Sequence, residues 1–183
     1  PDVNFGNSFA LHNVLNKNLN NVVEELALGD FVAFSYTPTD TLNEISKNPD
    51  EAIEDLNKIF EIVPNKKIGF FELSWSTSNF VEGNDDSQKI FVEKLFDFYA
   101  QNESNIEFMT WFRYIDQQAS SCVTEEQKIG DQTITLGGGS SLGTNEYVIE
   151  RLNQYNCNTG FVDVKQNGKI GWNEFKTQIQ MLN

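Results

Sequence analysis

Four short apolar segments recur along the chain, and a segment with helical periodicity follows each of them. The apolar segments cover residues 3–11, 30–36, 68–71 and 106–114. They are too short for buried helices and are bounded by turn-forming residues, so they predict buried strands. Apolar residues spaced three and four apart predict helices over residues 19–28, 48–63, 85–101, 146–155 and 173–182. Such alternation predicts a parallel sheet with helices outside it.

The number of these units limits the architecture. A closed (β/α)8 barrel needs eight units and typically about 250 residues, whereas this chain has four units in 183 residues. We therefore predict one α/β domain over residues 1–183, formed either as half of a TIM (β/α)8 barrel or as a small open sheet. Residues 117–143 are predicted to form a long loop after the last strand, with a hairpin around Gly130-Asp131 and a flexible run at Gly137–Gly139.

Polar and aromatic residues gather where the predicted strands end. In both architectures ligands bind at the carboxyl ends of parallel strands. A carboxylate at the end of a buried strand costs free energy unless it is paired or has a function, which makes Glu72 the leading candidate. The residues that we expect at this edge are His12, Tyr36, Glu72, Trp75, Trp111 and Asp116.

A carboxylate beside tyrosine and tryptophan is typical of a glycosidase. The apolar faces of sugars stack on indole rings. Hydrolysis of a glycosidic bond usually needs two carboxyl groups, one to protonate the leaving oxygen and one to attack the sugar or activate water. The sequence therefore favours a carbohydrate as the ligand.

Four segments in order resemble the C-terminal half, strands five to eight, of a retaining (β/α)8-barrel glycoside hydrolase of the endo-galactanase and endo-glucanase clan. DFVAFSYTPTD is similar to that clan's sixth strand and KKIGFFELSWST to its seventh, which carries the nucleophile. IEFMTWFRYID is similar to the eighth strand, and TGFVDVKQNGKIGWNEFK to the closing tail. The resemblance covers nearly the whole chain.

This resemblance implies roles for individual residues. Glu72 would be the nucleophile, Tyr36 would donate a hydrogen bond that keeps it ionised, and Trp111 would line the sugar site next to it. The resemblance also implies substrate contacts for Trp75, Asp116 and His12. No metal or other cofactor is implied.

One part of the clan's machinery has no match in the chain. The clan's general acid/base is a glutamate at the end of the fourth strand, usually after an asparagine, and no Asn-Glu pair stands at a matching place. Double displacement would then lack a partner. We therefore expect these residues to need the missing N-terminal half-barrel or another chain, and to show no normal activity alone.

Composition excludes some classes of partner. The chain has 27 acidic and 13 basic residues and a net charge of −14, which argues against nucleic acid or an anionic membrane as partner. The two cysteines, Cys122 and Cys157, form either one disulfide or two thiols. The segment 163–174 imitates a calcium-binding EF-hand loop, but Lys165 stands where an oxygen ligand is required.

Three hypotheses for function remain open from the sequence. The first is the catalytic half of a retaining glycoside hydrolase that acts on a β-linked polysaccharide or oligosaccharide. The second is a non-catalytic carbohydrate-binding or structural protein that keeps the aromatic mouth of the barrel. The third is an open-sheet protein with an unrelated ligand. The sequence leaves the location of the protein open, with a secreted or cell-surface location as one option.

Overall fold

A computed structural model of the protein describes residues 3–118, 121–122, 126–129, 132–135 and 145–182. Its main sheet has four parallel strands in the order β1-β2-β3-β4: β1 Gly6–Ala10, β2 Phe31–Tyr36, β3 Lys67–Leu73 and β4 Ile106–Trp111. Two further strands, β5 Glu126–Ile129 and β6 Gln132–Thr135, form an antiparallel pair. The helices are α1 Leu11–Asn16, α2 Asn20–Leu26, α3 Pro49–Ile62, α4 Asp85–Asn102, α5 Glu146–Cys157 and α6 Ile170–Met181.

The sequential strand order decides between the two predicted architectures. Parallel strands are joined by right-handed crossovers, so strands paired in chain order put all connecting helices on one face of the sheet. A doubly wound open sheet reverses its order and has helices on both faces. The α/β class, the parallel strands and the outer helices are therefore as predicted. The strand order β1-β2-β3-β4 is that of a segment of a (β/α)8 barrel.

The sheet has two chemically different faces. The outer face, toward the helices, consists of Val32, Phe34, Tyr36, Ile68, Phe70 and Leu73, all at most 2% exposed. These side chains form one core with residues of α3 and α4 such as Leu56 and Phe98, whose ring lies 5.9 Å from that of Phe70. Alternate residues such as Phe31, Ser35 and Phe108 form the inner face.

Local chemistry explains where the helices begin and end. The Asn48 side chain caps α3 by accepting from the Glu51 amide, and the Glu51 carboxylate in turn accepts from the Asn48 amide. The helix predicted over 19–28 begins at Asn20, and a separate helix, α1, precedes it. Asn18 between them has φ of 55°, a left-handed conformation that asparagine tolerates and that keeps α1 and α2 from joining.

Two features border the sheet. In the described part of the chain, β1 and β4 each pair on one side only, and an apolar cavity of about 390 Å³ follows the outer margin of β4 beneath α4 and α6. Cys122 and Cys157 form a disulfide that ties the segment after β4 to the end of α5. The antiparallel pairing of β5 with β6 is consistent with the predicted hairpin. Its turn residues, Gly130 and Asp131, and the glycine run 137–139 lie outside the described residues. No described helix is long and apolar enough to cross a bilayer.

Candidate active site at the carboxyl edge of the sheet

A β-bulge determines where Glu72 points. Phe70 pairs with Phe34, but the next pair joins Glu72 to Ser35, so Phe71 is an extra residue in β3. Strict alternation would place Glu72 on the same face as Phe70, toward the helices. The bulge turns the carboxylate onto the inner face beside Ser35 and returns Leu73 to the outer face, as bulges beside active sites often do.

The environment of Glu72 suits a reactive carboxylate. The residue is exposed at the carboxyl end of β3, and partial burial raises the pKa of its carboxyl above the usual range. Within the described residues no cation pairs with it. The carboxylate is therefore available to a ligand that approaches from the inner face.

Thr110 is a site residue that the sequence reasoning missed. Its hydroxyl donates to the carbonyl oxygens of Phe70 (3.2 Å) and Phe71 (2.5 Å). The bulge interrupts the regular pairing of β3 with β4 at these carbonyl groups. Pairing resumes at Leu73 and Trp111. The one available signal was the position of Thr110 in an otherwise apolar segment, one residue before Trp111.

The predicted hydrogen bond from Tyr36 to Glu72 is wrong. Tyr36 lies on the outer face, fully buried, and its hydroxyl donates to Asp55 of α3 at 3.0 Å. Asp55 also binds Lys47 at 2.6 Å and Lys58 at 2.8 Å. Burial, reinforced by the Asp55 charge, raises the pKa of Tyr36. Tyr36 therefore belongs to a structural ion cluster that fixes β2 to α3.

Neither predicted tryptophan lines the inner face. Trp111 is in register with Leu73 on the outer face, where its ring stacks on Phe161 at 4.5 Å and its Nε1 donates to the Thr159 carbonyl at 2.8 Å. Trp75 is 1% exposed and its ring lies 5.0 Å from that of Phe91. These positions correct the predicted place of Trp111 in the sugar site and the predicted substrate contact of Trp75, since each ring packs between sheet and helices. Phe31 and Phe108 are two aromatic residues that face inward, with ring centroids 5.8 Å apart.

Asp116 holds the tail of the chain rather than facing a ligand. Its carboxylate binds Lys169 at 2.7 Å, with both side chains less than 10% exposed, and accepts from the Gly160 amide at 2.8 Å. Burial raises the pKa of Asp116 and outweighs the opposing effect of Lys169. Lys169 also donates to Thr77, so this buried pair joins the segments that follow β3, β4 and α5. The predicted substrate contact of Asp116 is corrected accordingly.

His12 is the predicted contact residue that stays at the edge and partly accessible. It lies in the first turn of α1, which follows β1, and is half-buried, with Nδ1 3.2 Å from the hydroxyl of Thr37, the residue that follows β2. Burial lowers the pKa of His12, and Lys17 adds to that effect. The imidazole is therefore neutral at pH 7 and offers a hydrogen-bonding group rather than a charge.

In the loop that resembles a calcium site, the Asp163 side chain accepts hydrogen bonds from the backbone of the loop itself. Oδ1 of Asp163 accepts from the amides of Lys165 and Asn167, each at 2.8 Å. This is the geometry of a side-chain-supported turn. Among the described residues no group of three or more His, Cys, Asp or Glu side chains is placed to hold a metal ion.

These features define the class of fold: half of a (β/α)8 barrel with the Glu72 carboxylate aimed inward at its carboxyl edge. No protein-family profile matches the chain, and no curated protein matches it in sequence.

Solved structures do match. The catalytic core of xylanase A is similar over 97% of this chain, with 15% identity and a TM-score of 0.52. A thermostable mutant of a xylanase from Cellvibrio japonicus is similar over 94%, with 14% identity and a TM-score of 0.53. The chain spans 48% of each of these structures, so it has the fold of about half of a TIM barrel.

Proposed function

We propose that this chain carries the nucleophile half of a retaining glycoside hydrolase that acts on a β-linked polysaccharide or oligosaccharide, with Glu72 as nucleophile. The observation that carries the proposal is the bulge at Phe71, which turns Glu72 onto the inner face at the carboxyl edge. Ligands of α/β barrels bind at this edge. The likeness to xylanases supports a carbohydrate as substrate.

The reaction would be a double displacement. The Glu72 carboxylate attacks the anomeric carbon, a glycosyl ester forms, and the bond to the leaving oxygen breaks as that oxygen takes a proton from a general acid. Water then cleaves the ester and releases the sugar. His12, neutral and beside Thr37, is proposed to hydrogen-bond sugar hydroxyl groups.

The general acid would come from outside these residues. Among the residues that the structure describes, Glu72 is the one carboxylate on the inner face at this edge. Asp116 is paired with Lys169, Glu44 with Arg151, and Asp40 accepts from the amides of Leu42 and Glu44. Each of these other acids therefore has a structural partner.

The proposed partner is a second half-barrel. Residues such as Phe31, Phe71 and Phe108 leave apolar surface on the inner face, and a closed barrel fills that space with side chains from all eight strands. A strand paired with β4 would also cover the cavity beneath α4 and α6. The chain alone should therefore self-associate or bind a complementary half, and a monomer with full polysaccharide activity would contradict this.

An activated substrate tests Glu72 without the missing acid. In a 2,4-dinitrophenyl 2-deoxy-2-fluoro-β-xyloside or β-glucoside, the phenolate leaves unprotonated and the fluorine slows hydrolysis of the ester. We expect intact-protein mass spectrometry to show one fluoroglycosyl group, which peptide mapping places on Glu72. Glu72→Gln should lower labelling on the order of 10⁴-fold. Equal labelling of both proteins would refute the proposed nucleophile.

A non-catalytic carbohydrate-binding protein is the second candidate, favoured by the absence of a second inward carboxylate among the described residues. Glu72→Gln separates the two candidates. A hydrolase keeps sugar binding and loses labelling, whereas a binding protein takes no label in either form and binds sugar equally well in both.

A further inference from the structure

We infer that Thr110 is a positioning residue for Glu72, because its hydroxyl holds the bulge at Phe71 that aims the carboxylate inward. The inference deepens the proposed function, which makes Glu72 the nucleophile, but its structural part stands without that role. Thr110 touches the backbone of the bulge and acts through it.

The register shows what the bulge must accomplish. Phe70 faces outward opposite Phe34, and Leu73 faces outward opposite Tyr36. Two residues, Phe71 and Glu72, stand between them, although alternation leaves room for one inward residue. With two residues between Phe70 and Leu73, a bulge is therefore needed if Glu72 is to face inward and Leu73 is to remain in the core.

The same count applies on the other side of the strand. Between the pairs Phe70–Met109 and Leu73–Trp111, β4 supplies a single residue, Thr110, opposite the two residues of β3. One backbone position cannot serve both carbonyl groups in a regular ladder. The Thr110 side chain supplies the donor, reaching Phe70 O at 3.2 Å and Phe71 O at 2.5 Å.

The alternative position of Glu72 follows from the same geometry. If the bulge were lost by a slip of one residue, Phe71 would face inward and Glu72 would turn toward the buried outer face. A charge buried on the outer face costs free energy, so this slipped register is unfavourable. A chain without the Thr110 hydroxyl would therefore keep a bulge at this place but populate several conformations of it. The carboxylate would lose its fixed position, and displacement of a reacting group by about 1 Å costs on the order of 10²-fold in rate.

Three variants of the full chain test this. Thr110→Val removes the hydroxyl at nearly constant shape, and Thr110→Ser restores it. Thr177→Val is the matched control, since the Thr177 hydroxyl donates to the Asn173 carbonyl at 3.0 Å within α6, far along the chain from the bulge. We expect Thr110→Val to lower the rate of fluoroglycoside labelling of Glu72 about 10²-fold, while Thr110→Ser and Thr177→Val stay near the parent rate.

A structural measurement keeps the inference separate from the proposed function. In isotope-labelled protein, NMR contacts across β2 and β3 report the pairing of Ser35 with Glu72, and the carboxyl carbon of Glu72 reports its titration. Thr110→Val should weaken that pairing and shift the Glu72 titration, and serine should restore both. If the parent chain takes no label but these changes occur, the proposed function fails and the positioning role stands.

Deletion of Phe71 provides a second test that does not depend on the stability of Thr110→Val. The deletion removes the extra residue, so Glu72 faces inward between Phe70 and Leu73 in a regular ladder. In this background Thr110→Val should have less than a threefold effect on labelling and none on register. An unchanged Ser35–Glu72 register and Glu72 titration in Thr110→Val alone, or an equal loss with and without Phe71, would overturn the inference.

Discussion

The two faces of the sheet are built from adjacent residues of the same strands, yet they obey different rules. On the outer face every side chain of β2 and β3 is packed under helices, and polar groups such as Tyr36 and Asp55 are fully paired. On the inner face Phe71 is 36% exposed and Glu72 has no cation beside it in the described structure. The comparison separates stability from function: the outer face holds the fold, and the inner face leaves a carboxylate available.

Neighbouring phenylalanines give the largest expected contrast. Phe70 is fully buried against Phe98, and Phe71 is exposed on the bulge. Phe70→Ala should lower the free energy of unfolding by about 3–4 kcal/mol through the cavity it leaves, whereas Phe71→Ala should change it by about 0.5 kcal/mol. Urea denaturation measures both, and similar losses for the two variants would contradict the distinction between the faces.

Two carboxylates, one associated with each face, should respond to pH with opposite signs. Burial alone would raise the pKa of Asp55, but hydrogen bonds from Lys47 and Lys58 outweigh it and lower the pKa. Its stabilisation is therefore present above the unfolded pKa of about 3.9 and is lost as the pH falls through the lower folded value. Asp55→Asn should cost about 2 kcal/mol at pH 7 and flatten the acid limb of the stability curve.

Glu72 is expected to behave in the opposite way. Its pKa is raised in the folded protein. The charged carboxylate therefore opposes folding at neutral pH, and protonation of the carboxylate favours folding. Glu72→Gln should leave thermal stability at pH 7 unchanged or slightly higher. A clear loss of stability at pH 7 would mean that Glu72 is a structural acid, against its proposed role.

The smallest expected effect tests how freely the inner face can adjust. A Cβ at Gly69 would lie 2.5 Å from the ring of Phe108, which is only half-buried. Gly69→Ala should cost about 1 kcal/mol because the ring can move. The double variant Gly69→Ala/Phe108→Leu should recover most of that loss in denaturation experiments, while additive losses would show that the inner face is rigidly packed.

The strands could be predicted because their signals are local. The apolar runs and their flanking Pro, Gly and Asn residues located β2, β3 and α3 to within a few residues of the observed bounds. Glu72 was recognised because a charge ends an apolar run. Both inferences need only neighbouring residues, which is why sequence patterns reveal them.

The facing of side chains could not be predicted in the same way. The bulge at Phe71 reverses the face of the sheet on which each later side chain of β3 lies, and no local sequence pattern indicates an extra residue. In β2 both faces are apolar, so alternation did not show that Tyr36 lies with Phe34 toward the helices. Trp75 and Asp116 were misplaced because their partners, Phe91 and Lys169, are distant in sequence.

The strand order also has a consequence for how the chain folds. Among the described residues, each strand of the main sheet pairs only with the strand before or after it in the sequence, so the contacts that build the sheet span a single β-α unit. Short contact separation favours rapid folding, and the pairing of β2 with β3 offers a nucleus from which β1 and β4 are added outward. The last segments to be ordered are then the two free margins, so a complementary half could join them without unfolding the core.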